Sequence, residues 1–305
     1  NCELWPEIQP FDEGYLLVGD LHKVHYSLYG NRDGEPVFFI HGGPGCGTDD
    51  SDARWFDPDR YMIILHDQRG SGRSEPKAEI FDNTPHDLVN DIEKLRKHLD
   101  IKAPITLFGG SWGTTLSLLY AEKYPANILR MILRGIYLCS WKDQDYFYSQ
   151  DGGGLFSPEA YDDFISALPN GDERVQEKLH KLLEGSLGDE RKKWCLVQAS
   201  YEYSFFNLPK KEIERALDDF DSIWPEMRIN SYYQANRFFL DDNYIINNID
   251  KIRGISTTII NGARDIICPP IFAWNLHKQL DNSELILVPN AGHLSSEPGI
   301  KDALL

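Results

Sequence analysis

The stretch ITLFGGSWGTTLSLLYA, residues 105–121, sets an apolar run of strand length against a second of helix length, with two glycines and a serine at the reversal. Residues 105–108 read as a buried strand, and the leucine-rich segment after Gly113 as a helix. Between them, Gly109-Gly110-Ser111-Trp112-Gly113 fits G-x-S-x-G, the pattern in which a sharp strand-to-helix turn holds a serine exposed at the strand's C-terminal end. Such a turn leaves no room for side chains two positions either side of the serine, which accounts for Gly109 and Gly113. The serine hydroxyl then stands above a helix N-terminus, where partial positive charge gathers. This context marks Ser111 as a nucleophile rather than an incidental turn residue.

The same grammar recurs along the chain. Residues 37–40 precede HGGPG, 62–65 precede HDQRGSGRS and 128–133 precede RG. Leu88, Ile92, Leu95 and Leu99 fall at helical spacing between the second and third runs. Strands alternating with helices predict a parallel sheet covered on both faces. After about residue 138 the chain turns aromatic and charged, with helical patches at 175–183 and 213–220 and few strand-like runs. The β/α pattern returns with residues 257–260 before NGARD, a helix over 271–280, and residues 285–288 before PNAGH. The expected layout is an α/β core of residues 1–138 and 245–305, interrupted by a helical cap of residues 139–244.

A serine hydroxyl is a poor nucleophile near neutral pH, so a base must lie within hydrogen-bond reach and a third group must orient that base. In the order that goes with this elbow, a carboxylate and then a histidine follow at later strand ends. Asp265 and His293 occupy those places, each just beyond an apolar run. Asp241 and Asp242 lack a strand to deliver them. His22, His25, His86, His98, His180 and His277 sit in polar or helical contexts and read as surface residues, while His66 adjoins the DQRG turn. Acyl transfer also needs donors aimed at the developing oxyanion. The N–H of Trp112 supplies one. The glycine loop His41-Gly42-Gly43-Pro44-Gly45 supplies another, assigned to Gly43, with His41 in an orienting or packing role. Cys46 follows that loop and reads as a small apolar residue near the pocket.

The acidic excess, 48 Asp+Glu against 31 Lys+Arg for a net charge of -17, argues against nucleic acid and anionic membranes as partners. The 41% apolar content is ample for a core. Five cysteines without C-x-x-C or metal-ligand spacing suggest neither a disulfide framework nor a zinc site, and fit a reducing, cytoplasmic setting. No apolar run reaches membrane-spanning length and no signal peptide is visible.

With these residues in place, the chain resembles the prolyl iminopeptidases, serine aminopeptidases of the α/β-hydrolase fold. The resemblance is carried by FFIHGGPG, FDPDRYMIILHDQRGSGRS, FGGSWGTTLSLLYAEKYP, LRGIYL, NGARDIICPP and AGHLSSEPGIKDAL, and it covers nearly the whole chain. It implies an enzyme that removes an N-terminal residue, typically proline, from short peptides with a free N-terminus, with no metal or organic cofactor. It also implies Ser111, Asp265 and His293 as the triad, with Gly43 and Trp112 at the oxyanion hole. Residues 67–74 resemble a family turn that braces the site. Haloalkane dehalogenases and epoxide hydrolases of this fold carry aspartate where Ser111 stands, which sets both activities aside.

The resemblance further implies that substrate specificity lies in the cap, where two glutamates hold the free amine and aromatic residues pack the proline ring. Glu202 in SYEYSFF matches the first glutamate. Asn230 stands where the second is expected, and Gln234 stands where a ring-packing phenylalanine is. Asn230 can accept a hydrogen bond but carries no charge, so weaker amine binding and a less strict proline preference are expected. Tyr137 and Phe147 match further wall aromatics. The expected mechanism is an acyl-enzyme pathway. Two alternatives stand beside it: an esterase or lactonase that has lost amine recognition, and a non-catalytic binding protein on the same fold. The oligomeric state is not legible.

Overall fold

Short apolar segments rich in β-branched residues, each stopped by glycine, proline or asparagine, settle into strands because their side chains can be buried on both faces of one sheet. In the computed structural model, which describes residues 3–305, eight such strands form a single sheet. They are β1 (Asp12–Val18), β2 (His22–Gly30), β3 (Glu35–Ile40), β4 (Tyr61–His66), β5 (Ile105–Gly110), β6 (Ile128–Arg134), β7 (Ser256–Gly262) and β8 (Ser283–Val288). Their order is β1-β2-β4-β3-β5-β6-β7-β8. Every pair from β4 to β8 is parallel, whereas β1 and β2 form an antiparallel hairpin whose second strand is antiparallel to β4.

That hairpin carries a correction. His22 and His25, read as surface residues, are buried at 1% and 5% exposure. They lie on β2, paired on both edges, and the segment after β4 folds over them: His22 Nε2 lies 2.8 Å from the Phe81 carbonyl, and His25 adjoins Asp67.

Helices close both faces. On one side pack α1 (Pro85–His98) and α2 (Trp112–Lys123), with Leu88, Ile92, Leu95, Leu116 and Leu119 in one cluster with Phe38, Ile64 and Leu107. Thr84 starts α1 with a reciprocal cap to Asp87, and Pro85 fills the first helical position, two residues earlier than the apolar periodicity alone marks. From Trp112 to Glu122 every residue of α2 is buried, as its apolar composition on all sides requires.

Between β6 and β7 the chain is helical: α3 (Trp141–Phe147), α4 (Gly153–Phe156), α5 (Pro158–Ala167), α6 (Val175–Gly185), α7 (Gly188–Tyr203), α8 (Lys210–Asp218), α9 (Phe220–Ala235) and α10 (Tyr244–Asn248). The patch expected as one helix over 213–220 breaks at Asp219, which caps α9 by accepting from Ser222 N–H. These helices hold their own cluster, including Phe164, Leu179, Trp194, Tyr201 and Met227. Helix α9 joins it to the sheet cluster, since Ile223 and Met227 pack in the first and Ile229 and Tyr233 in the second. After β7 come α11 (Pro270–His277) and α12 (Pro298–Leu304), α12 packing its Ile300 on the opposite sheet face.

Candidate active site

Ser111 sits between β5 and α2 with φ 56° and ψ −123°, a conformation that costs a non-glycine residue of order 1–3 kcal/mol and persists because its surroundings hold it. Its N–H donates to the Arg134 carbonyl at 2.9 Å, and its carbonyl accepts from Thr114 N–H at 2.8 Å. The flanking glycines are required by contact. A Cβ on Gly113 would lie 2.0 Å from the Ile40 carbonyl oxygen, and one on Gly109 would lie 2.5 Å from that of Gly113.

Asp265 follows β7 and His293 follows β8, and they meet. His293 Nδ1 lies 2.8 Å from Asp265 Oδ2, while Asp265 Oδ1 accepts from Cys268 N–H at 2.8 Å. A carboxylate can only accept, so the Nδ1 proton faces it and Nε2 is left as the basic nitrogen. The His293 ring stacks on Phe206, and its carbonyl accepts from the Arg134 guanidinium at 2.5 Å. Gly135, at φ 64°, lets β6 pass close, since a Cβ there would lie 3.2 Å from His293 Cε1.

The glycine loop after β3 lies against the elbow: a Cβ on Gly42 would lie 3.6 Å from Ser111 Cβ. No hydrogen bond within the described residues uses the N–H of Gly43 or of Trp112. The turn after β4 braces both. Gln68 N–H donates to His41 Nε2, Gln68 Nε2 donates to the His41 carbonyl, and Trp112 Nε1 donates to Gln68 Oε1, each at 2.9 Å. His41 Nε2 is therefore an acceptor, and burial holds its pKa below the ordinary histidine value. A neutral His41 with both ring nitrogens engaged is a loop brace.

A cavity of about 290 Å³ opens over Ser111 and brings together nearly all the side chains singled out from the sequence: Gly43, Trp112, Tyr137, Phe147, Glu202, Asn230, Gln234 and His293. Asp265 stands behind His293, outside the lining. Tyr137 packs edge-on to Phe238, and Phe147 packs against Tyr148 and Tyr201.

Glu202 is the electrostatic centre of the cavity. Its carboxylate accepts from Tyr148 Oη, from Gln198 Nε2 at 2.8 Å and from Asn230 Nδ2 at 3.0 Å, while burial pushes its pKa up to about 7. Asn230 accepts through its carbonyl, as expected, but from a neighbouring side chain. Its amide nitrogen is turned to Glu202, so its oxygen faces Gln234 Nε2 and accepts from it at 2.6 Å.

Among the lining residues that escaped the sequence reading are Arg134, Asp143, Gln144, Tyr148, Glu226 and Cys268. The Cys268 thiol is hydrogen-bonded to Ser111. Glu226 was detectable in principle, since it precedes Asn230 by one helical turn, but the face that α9 presents is a tertiary fact. Cys46, read as a small apolar residue near the pocket, has open surface, and that surface faces this recess.

A family described as the alpha/beta hydrolase fold matches residues 35–299. Proline iminopeptidase of Arabidopsis thaliana is 39% identical to this chain, covering 99% of it and 80% of the plant protein. Probable proline iminopeptidase of Leptolyngbya boryana is 41% identical, covering 99% and 95%. That of Neisseria gonorrhoeae is 38% identical, covering 97% and 95%. Among solved structures, a proline iminopeptidase-related protein of Thermus thermophilus superposes with a TM-score of 0.62 at 19% identity, over 94% of this chain and 91% of that one. A Thermogutta terrifontis esterase does so with a TM-score of 0.64 at 20% identity, over 95% and 94%. At these identities the structural likeness speaks for the fold alone.

Proposed function

The chain belongs to the proline iminopeptidase family of α/β-hydrolases, and from that premise we propose that it is a serine aminopeptidase releasing an N-terminal residue, proline foremost, from short peptides. The observation that carries this reading is a single cavity lined by Ser111, by the His293 held on Asp265, and by a buried carboxylate, Glu202, able to receive a cationic amine.

In this mechanism His293 Nε2 takes the Ser111 hydroxyl proton as Oγ attacks the carbonyl carbon of the substrate's first residue. The carbonyl oxygen becomes an oxyanion, held by the N–H groups of Gly43 and Trp112. Asp265 stabilises the imidazolium, which then gives its proton to the departing amine as the C–N bond breaks. Water, deprotonated by His293, cleaves the acyl-enzyme and restores the serine. Tyr137, Phe147 and Gln234 form the wall for the first side chain, and Glu202 binds the free amine, with Asn230 donating to its carboxylate. The helical segment, residues 139–244, acts as the cap that sets specificity. A cytoplasmic location is part of the proposal, in keeping with five cysteines that lack C-x-x-C or metal-ligand spacing.

The test is kcat/KM for prolyl-p-nitroanilide beside its alanyl and N-acetyl-prolyl counterparts, with Ser111→Ala as blank. Ser111→Ala is expected to lose at least about 10⁴-fold in kcat, and acetylation to abolish activity on the prolyl compound. Turnover indifferent to acetylation would instead favour an esterase, the reading that the uncharged Asn230 and Gln234 support.

A further inference from the structure

Glu226 lines the cavity with Glu202 and has no role in the mechanism above. It stands on α9 one helical turn before Asn230, on the same face. Its backbone presses against the glycine loop: Gly45 has φ 105°, and a Cβ there would lie 2.7 Å from Glu226 Cα. The carboxylate accepts from Tyr203 Oη at 2.8 Å and from the Cys46 thiol.

Neither of those donors carries charge, and among the described residues no lysine or arginine pairs with Glu226 or Glu202. Arg134, the one arginine or lysine in the lining, spends its guanidinium on the His293 carbonyl. Of the three carboxylates in the lining, Asp143 caps α3 through Ser140, while Glu202 and Glu226 have no cation paired to either, and each is costly to keep charged there.

The amides around the recess are turned by these carboxylates and by each other. Gln144, only 3% exposed, gives Nε2 to the Cys139 carbonyl at 3.0 Å and to that of Arg237, leaving its buried Oε1 without a partner. Asn230 gives its nitrogen to Glu202 and takes a hydrogen bond from Gln234 Nε2, so the buried Gln234 Oε1 is likewise unpartnered. A cavity in which Glu202 and Glu226 have no paired cation is complementary to a cation that carries several N–H donors.

We propose that Glu226 is the second carboxylate that binds the substrate's ammonium group, receiving it jointly with Glu202, while Asn230 positions Glu202 by donating to it. This rests on the aminopeptidase reading and assigns the amine's second anchor to a position one turn from the one expected by resemblance. The neutral Asn230 then entails no loss of amine recognition, because the charge has moved along the helix face.

The experiment compares the wild type with Glu226→Gln and Glu202→Gln in the full chain, reading kcat and KM for prolyl-p-nitroanilide and the Ki of pyrrolidine as a bare amine probe. For Glu226→Gln we expect KM and Ki to rise about 10- to 100-fold, with kcat within about threefold and Ser111 still labelled by a fluorophosphonate. The double variant Glu226→Gln/Asn230→Glu is expected to recover most of the amine affinity. Should Glu226→Gln fail to label, Glu226→Asp takes its place: drawing the charge back by one methylene is expected to raise KM about 3- to 10-fold with kcat kept. Unchanged KM and Ki in a Glu226 variant, where Glu202→Gln raises both, would overturn the proposal and leave the aminopeptidase reading standing. A wild type that hydrolyses the N-acetyl-prolyl compound as well as the free one would overturn both.

Discussion

At the scale of single residues, the pocket's chemistry depends on how burial treats each ionisable group. Burial holds the Glu202 carboxyl up at about 7, although three side chains donate to it, because water is excluded from an otherwise uncompensated charge. The carboxylate is therefore charged above about pH 7 and neutral below it. If the charge binds the substrate amine, its advantage over glutamine must fade on acidification. The ratio of kcat/KM for prolyl-p-nitroanilide in the wild type to that in Glu202→Gln should fall as the pH drops from 8 to 6, approaching unity. A ratio constant over that range would remove Glu202 from amine binding. Ser111, Asp265 and His293 were legible because each is announced by a strand followed by a tight turn, a local signal. Tyr148 and Glu226 were not, since an aromatic and a glutamate in the helical segment between β6 and β7 look like packing and solvated surface until neighbouring helices enclose them.

At the scale of elements, the strand-turn-helix at Ser111 works only because three backbones pass within contact distance. Gly113 is the tightest point, with the Ile40 carbonyl where its Cβ would be. Gly113→Ala should therefore force β3 and α2 apart, costing about 3 kcal/mol or more and misplacing both the serine and the glycine loop. Urea unfolding and p-nitroaniline release should fall together, and a variant of wild-type stability would contradict the geometry. The β/α succession was readable because buried parallel strands are continuous apolar runs. The β1–β2 hairpin was missed because its strands mix charged residues with apolar ones. The misplacement of His22 and His25 followed from that, since a histidine's burial depends on what folds over its strand.

Across the whole molecule, the net charge of -17 accompanies a recess in which Glu202 and Glu226 have no paired cation. Such a field favours the approach of cationic N-termini and is screened once the Debye length shrinks, from about 30 Å at 0.01 M salt to about 10 Å at 0.1 M. Raising sodium chloride from 0.01 to 0.5 M should lower kcat/KM for prolyl-p-nitroanilide by roughly three- to tenfold, chiefly through KM, and leave fluorophosphonate labelling of Ser111 unchanged. Equal salt sensitivity of the two would assign the effect to the catalytic machinery rather than to attraction of the amine. The helical segment between β6 and β7 matters at the same scale: α9 packs in its cluster and in that of the sheet, so the carboxylates that α9 and α7 bring to the cavity are positioned against the sheet's own loops.

The β/α succession of the parallel strands, the elbow at Ser111, and the places of Asp265 and His293 beyond their strands were legible in the sequence alone, because each rests on periodicity and turn chemistry spanning a few residues. What only the tertiary structure decided was the cavity's polarity: that Asn230 turns its nitrogen to Glu202, that Gln234 follows it in register, and that Glu226 faces the same recess. Those outcomes depend on the rotation of α9 about its axis and its approach to Gly45. The first is fixed by packing on α6 and α7 and the second by a contact with a loop far away in sequence, and no local pattern encodes either.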